Sequence, residues 1–438
     1  MPEIHAEEPR VPGPTRTDDA RVRCADRHQV RMQTFALDEL LPDDHPARLV
    51  WEYVEGVDVS PLYAPIRSVK GRAGRNAVDP KILLGLWLYA TLDGVGSARE
   101  VDRLCRDHVA YQWICGGVPM NYHTLSDFRV GHTAFLDALL SRSVATLMHE
   151  GLVTLNRVAQ DGMRVRASAG ASSFRRLPTL ETCQAEAREQ VKTLRAEVAL
   201  DPQGANERRK AARRRAARER SERIANALAQ LPQVEAKKKP AEKTQARTST
   251  TDPDARVMKM ADGGFRPAHN VQIATTTEGQ VITGVDVGNT GSDQGQMSRM
   301  VDQHKKRYGE GPDEMLVDGG FAKKEDIERV SGPDKGTTVY APVQKPKKDD
   351  RDPHLPRPGD SETIAAWRRR MGTDEAKAIY KERASTAECV NAIARNRGLR
   401  QFLVRGLKKA RAVVLLYALA HNLMRAATLR REAALAAA

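Results

Sequence analysis

The feature that most constrains this chain is an interruption. A β-branched, alternating pattern runs from Val153 to Val165, breaks off, and resumes only after Pro253 as a series of short strand-like runs. The stretch between them is charged and helical in pattern. Such a segment interrupts the sheet and reads as a protruding insertion. The chain is therefore read as a mixed α/β sheet carrying a helical insertion.

The insertion, residues 174–250, reads as a helical hairpin. Leu180, Ala187, Val191, Leu194 and Val198 recur at helical spacing. Asp201-Pro202-Gln203-Gly204 makes a turn, and Glu207–Leu231 returns with Ile224, Leu228 and Leu231 as its apolar stripe. From Gly204 to Arg247 there are 14 Lys/Arg against 5 Asp/Glu, while the whole chain carries a formal net charge of +14. Most of the excess charge thus sits on one hairpin. A charged helix face is ordinarily just solvated. One this one-signed points to a polyanion, with nucleic acid ahead of membrane. Aromatic residues make up 5% of the chain, too few for a single-strand binder built on stacking platforms.

After Pro253, strand-like runs occur at Gly264–Thr275, Gly279–Val287, Met315–Val317 and Thr338–Val343. Helical patterns at Gln294–Tyr308 and Lys323–Val330 separate the later ones. Asp161 followed by Gly162 suggests a hairpin or a strand with a bulge. Gln344–Asp360 is a Lys/Asp/Pro loop, Ser361–Gly398 is mostly helical, and Lys408–Glu432 forms a last long helix.

Ahead of the sheet, residues 1–30 read as a disordered arm and residues 31–150 as a helical region. Asp79-Pro80 is an N-cap with Pro at the first helical position, opening the apolar run Ile82–Leu92. Ser97 and Glu100 suggest a capping box, Thr124 and Asp127 another helix start, and Gly151 a stop after Ala134–Glu150. The helix–turn–helix at 80–107 has two open readings, a DNA-reading pair or part of a packed bundle used for dimerisation. The longest apolar runs, Ile82–Leu92 and Ala412–Ala420, are too short to span a bilayer, and no targeting segment is visible, so a cytoplasmic location is expected. Five scattered cysteines argue against a disulfide framework. Cys105, His108, Cys115 and His123 match no zinc-ligand spacing.

Three acids stand out by position. Asp161 follows Val158-Ala159-Gln160 on the first strand. Asp318 ends the apolar run Met315-Leu316-Val317 and precedes Gly319-Gly320. Glu388 lies on the helix after Tyr380 and Arg383, with Glu382 as its rival. Singly, an Asp before Gly is a turn residue and a helical Glu is solvated. Together, on a first strand, a later strand and a following helix, they fit a two-metal phosphoryl-transfer site. Such a site needs hard oxygen ligands to hold two Mg²⁺ ions about 3.5–4 Å apart across the attacking and leaving oxygens. Ala384, Ser385, Ala387 and Ala392 are small enough for a phosphodiester backbone to approach, with Arg383 and Arg395 as phosphate contacts.

At these residues the chain resembles the bacterial insertion-sequence DDE transposases. It is most similar to the group whose third acid lies in a Tyr-x-x-Arg…Glu…Lys signature. The matching segments are Asp161-Gly-Met-Arg-Val-Arg-Ala, Gly264-Phe-Arg-Pro-Ala-His-Asn-Val-Gln272, Val285-Asp-Val with Ser292-Asp-Gln294, Val317-Asp-Gly-Gly-Phe321, and Tyr380-x-x-Arg383 with Glu388. Leu41-Pro-Asp-Asp-His-Pro46 lies in a segment, Phe35–Arg129, similar to that group's helical N-terminal region. The resemblance implies an RNase H-like catalytic unit over residues 151–437, interrupted at 174–250, behind an all-α N-terminal region for DNA binding or dimerisation. It implies Mg²⁺-dependent cleavage at transposon ends, with Mn²⁺ able to substitute, and strand transfer into target DNA by a homodimer or higher multimer. Asp161, Asp318 and Glu388 would be the metal ligands; Tyr380 and Arg383 would contact DNA. Three residues depart from the pattern: Arg395 where Lys is usual, Ala387 where a larger aliphatic is usual, and Asn391 where an aromatic is usual. The alternatives are a nuclease that only hydrolyses DNA, or an inactive DNA-binding relic.

Overall fold

The computed structural model describes residue 28 and residues 34–68, 76–200, 207–332, 336–345 and 351–438. The expected arm at 1–30, residue 28 apart, and the turn at 201–204 lie outside the described residues.

Residues 46–149 form helices α1 (Pro46–Gly56), α2 (Ser60–Tyr63), α3 (Pro80–Leu92), α4 (Ala98–Asp107), α5 (Val109–Cys115), α6 (Tyr122–Gly131) and α7 (Thr133–His149). Asp79 caps α3 by accepting from the Lys81 amide at 2.8 Å, with Pro80 at the first position. The capping box at α4 is half formed. Ser97 Oγ accepts from the Glu100 amide at 3.4 Å, but the Glu100 carboxylate turns to Arg103 instead. α6 begins earlier than expected, because Asn121 Oδ1 takes the cap by accepting from the Thr124 amide at 3.0 Å. Thr124 and Asp127 therefore lie inside the helix. α3 is buried from Ile82 to Ala90, as the centre of a helix bundle, and α4 shows solvent a ladder of Arg–carboxylate pairs.

The next strand, β1 (Arg157–Arg166), corrects the expectation of a turn or bulge at Asp161-Gly162. It runs unbroken through both residues. A short ribbon, β2 (Phe174–Arg175), then leads into α8 (Leu177–Leu200) and α9 (Glu207–Ala236), which form the expected hairpin. The hairpin has its own small core of Leu180, Ala227 and Leu231. β3 (Thr248–Ser249) pairs back on β2 and clasps the hairpin's base.

The remaining elements are β4 (Arg256–Lys259), β5 (Phe265–Thr276), β6 (Ile282–Gly288), α10 (Gln296–Tyr308), β7 (Glu314–Leu316), α11 (Lys324–Ser331), β8 (Thr338–Tyr340), α12 (Glu362–Gly372), α13 (Asp374–Arg383), α14 (Cys389–Asn396) and α15 (Leu407–Ala437). A π-helical turn, Ala384–Glu388, joins α13 to α14. The result is a mixed α/β fold. In the sheet, β5 pairs antiparallel with β1 on one side and with β4 and β6 on the other. β7 and β8 extend it parallel beyond β1.

Two apolar clusters flank the sheet. One joins the N-terminal helices, Met163, Val165, Val271 and Val285 to α15. The other joins β1 and β7 to Phe321, Ile364 and Trp367. α15 is longer than its apolar run suggested, and by length and mean hydropathy it would suffice to cross a bilayer. Its residues Val414 to Leu423 are instead buried in the first cluster.

Candidate active site at the parallel seam of the sheet

Strand register brings the two aspartates together. β1 and β7 are parallel, with Val158 opposite Met315 and Ala159 opposite Leu316. Two residues further along each chain, Asp161 and Asp318 leave the same end of this seam on the same face. Asp161 Oδ1 accepts from the Gly162 amide at 2.8 Å, and Oδ2 accepts from Asn391 Nδ2 at 3.0 Å. Burial pushes its carboxyl above the ordinary value. Arg383 and the Gly162 amide pull it back, while Asp318 and Asp293 push it further up. Asp318 sits at a tighter corner, its Oδ1 accepting from the Gly320 amide at 2.7 Å.

Gly162 is required for a packing reason. A Cβ there would lie 2.6 Å from Gln272 Nε2 and run into the Asp293 carboxylate. Asp293 is held by Asn270 Nδ2 at 2.8 Å, Gln272 Nε2 at 2.7 Å and Arg164 Nη2 at 2.8 Å. Gln160 Nε2 donates to Gln272 Oε1 at 2.8 Å. Three segments singled out in the sequence, around Asp161, Asn270–Gln272 and Asp293, thus form one buried polar layer behind the first acid.

The third acid arrives on the π turn. Arg383 Nη2 donates to Glu388 Oε1 at 2.8 Å, across five residues. In an α-helix, stacked neighbours are three or four apart, and a fifth residue has rotated away. The wider i→i+5 turn restores the alignment, and such turns are frequent at functional sites. Arg383 Nη1 lies 3.9 Å from Asp161 Oδ2, and its guanidinium sits 5.8 Å from the Tyr380 ring centre. One cation therefore stands between two acids. Burial opposes its charge, but Tyr380, Asp161 and Glu388 more than restore it. Burial raises the Tyr380 hydroxyl; Arg383 lowers it, and Asp318 and Asp161 both raise it further.

Asp161, Asp318, Tyr380, Arg383 and Glu388 are thus gathered, whereas Arg395 is not. Arg395 lies exposed on α14, where its carbonyl accepts from Arg400 Nε at 2.9 Å. Glu382 is held elsewhere, by Arg157 Nη1 at 2.6 Å. Asn391, a departure from the expected pattern, proves to orient Asp161. It is 2% exposed, and its Oδ1 has no hydrogen-bond partner among the described residues. Among the described residues no three His, Cys, Asp or Glu side chains converge closely enough to hold a metal ion. That applies to the three acids, with Arg383 between two of them, and to the Cys105–His123 set.

Residues 35–131 match the family described as Transposase domain (DUF772), and residues 347–427 match the Transposase DDE domain. No curated protein and no solved structure matches the chain. The first match covers α1 to α6. The second carries Tyr380, Arg383, Glu388 and Asn391, and the two aspartates fall in the sheet between the matches. A transposase domain thus matches on either side of that sheet, which supports an insertion-sequence DDE transposase.

Proposed function

We propose that the chain catalyses Mg²⁺-dependent cleavage of DNA at transposon ends and joins the freed 3′-hydroxyl to target DNA, using Asp161, Asp318 and Glu388. The observation that carries this reading is the pair of aspartates, Asp161 on β1 and Asp318 just past the end of its parallel neighbour β7, with Arg383 linking Asp161 to Glu388. The sheet order β6-β5-β1-β7-β8, antiparallel then parallel, supports an RNase H-like catalytic unit across residues 151–437, with 174–250 as its insertion. Residues 31–150 would serve DNA binding or dimerisation, and residues 1–30 would be an arm. The enzyme would act as a homodimer or larger multimer on the cytoplasmic nucleoid.

The donor set fits a divalent cation. All three carboxylates offer hard oxygens, and the space between Asp161 and Glu388 already holds a positive group. Asn391 Oδ1 is a buried acceptor left over beside them. Mg²⁺ bound there would lower the pKa of the attacking water or 3′-hydroxyl and neutralise charge building on the phosphate. The chain's own residues do the rest. A phosphodiester entering the site competes with Glu388 for the Arg383 fork, which suits a phosphate in bidentate fashion. Glu388, thereby released, can turn toward Asp161. Tyr380 packs behind the guanidinium and limits its swing, and Asn391 fixes the rotation of the Asp161 carboxylate. Arg395 would meet the backbone further along the exposed face of α14.

Incubating DNA that bears the element's ends with the protein, Mg²⁺ and a target plasmid tests this reading. Joined strand-transfer products are expected. Cleavage without joining would leave a nuclease that only hydrolyses DNA, and bound but uncut DNA in both Mg²⁺ and Mn²⁺ would leave a relic.

A further inference from the structure

Three arginines line a cavity near the C-terminal end of α14. Where that helix ends, Gly398 packs backbone to backbone against the turn between α3 and α4. A Cβ on Gly398 would lie 2.8 Å from the Gly94 carbonyl oxygen. The cavity, beside this joint, is about 270 Å³ and is walled by Trp87, Phe402 and Tyr417 and by the three arginines, Arg129, Arg397 and Arg400. Among the described residues no carboxylate lines it.

Two of the arginines, Arg129 and Arg397, keep unused donors. Arg129 is 6% exposed, sits 4.6 Å over the Trp87 ring, and gives one guanidinium hydrogen bond to the Gly96 carbonyl. Among the described residues its Nε has no partner, and neither does Arg397 Nη1, although both atoms are buried. Burial lowers Arg129 to about 10, still charged at neutral pH. A guanidinium taken out of water without a counter-ion is costly, and buried charges are ordinarily paired. Cation–π contact with Trp87 offsets part of that cost and leaves Arg129 Nε unused. The cavity is slightly below the range of about 300–1,000 Å³ typical of drug-sized ligands. That suits a compact anion better than an extended one.

We propose that this cavity is a phosphate-binding site, in which Arg129 and Arg397 converge on one phosphoryl group. It is separate from the carboxylate cluster: its residues come from α3, the turn after it, α6, the 397–403 segment and α15 rather than from the sheet. Because it lies where α14 meets the N-terminal helices, an occupant would brace the helix that carries Asn391. A free phosphate ester or a phosphodiester of bound DNA would present the same chemistry.

Titrations of the full chain with inorganic phosphate, with dAMP and with duplex DNA separate these sources. For R397Q, dAMP or phosphate affinity is expected to fall at least about tenfold if the ligand is free. If the ligand is DNA, the small anions bind neither protein, and the duplex salt slope falls by about one ion. R129Q loses its stacking on Trp87 and can fail to fold, so R400Q serves as the second variant, with circular dichroism as the folding check. Unchanged binding of all three probes in folded R397Q and R400Q would overturn the proposal.

Discussion

Asp161 and Glu388 present a carboxylate in opposite ways. Asp161 is fixed mid-strand, paired with Ile273 of β5, with two hydrogen-bond donors on its oxygens and a buried amide layer behind it. Glu388 is more than half exposed on a π turn, and the structure gives it one ion pair, to Arg383. The contrast teaches a division of labour: the sheet supplies a preorganised acid, the helix a movable one. Preorganisation costs Asp161 desolvation. Mobility costs Glu388 an occupied partner that must be displaced.

The largest effects should fall on the fixed side. D161N and D318N are expected to lower cleavage by a thousandfold or more while sparing DNA binding, as for loss of a group stabilising transition-state charge. Asp161→Glu should be nearly as damaging, because the strand cannot yield to a longer arm. Glu388→Asp should keep measurable activity, because its helix turn can. Equal losses in these two variants, assayed by single-turnover cleavage, would break the contrast.

Arg383 links the two sides and comes next. R383A should reduce cleavage about a hundredfold, and R383K should recover only part, since an ammonium lacks the bidentate fork. Full recovery by Lys would reduce Arg383 to a point charge.

The backbone under Asp161 can be probed by stability alone. Gly162→Ala is expected to cost about 1–3 kcal/mol in denaturant unfolding, from overpacking against Asp293 and Gln272. Removing the Asp161 charge has the opposite sign. Its folded pKa is raised, so the folded protein binds the proton more tightly and loses stability as pH rises past the unfolded value. D161N should therefore raise Tm by about a degree or two near pH 7, with no gain at pH 3. A Tm gain that did not depend on pH would assign the effect to packing. Trimming α8 and α9 away from the site should lower affinity for all DNA sequences alike and flatten its salt dependence. An unchanged slope would make the hairpin a protein contact.

Much of this was legible in the sequence, and the failures share a cause. The strand order, the insertion and the two aspartates follow from periodicity and apolar runs, which are local. Gly162 was misread as a bulge because its reason lies in Asp293 and Gln272, more than a hundred residues away in sequence and adjacent only once β5 pairs with β1. The π turn left no mark either: Ala-Ser-Thr-Ala-Glu is ordinary helical composition, and only the tertiary pairing of Arg383 reveals the extra residue in the turn. Arg395, placed on the site face by counting α-helical turns from Glu388, lies exposed on α14 outside the cluster. Asn391 looked like a departure and is a partner of Asp161, a role that needs both strand and helix in place.

The most direct test of the central claim is a Mn²⁺ titration of the full chain, followed by calorimetry or by the ion's paramagnetic signal. The wild type is expected to bind, D161N and D318N to lose binding, and E388Q to bind about tenfold more weakly. Mn²⁺ bound by D161N as tightly as by the wild type would contradict a metal site built on Asp161.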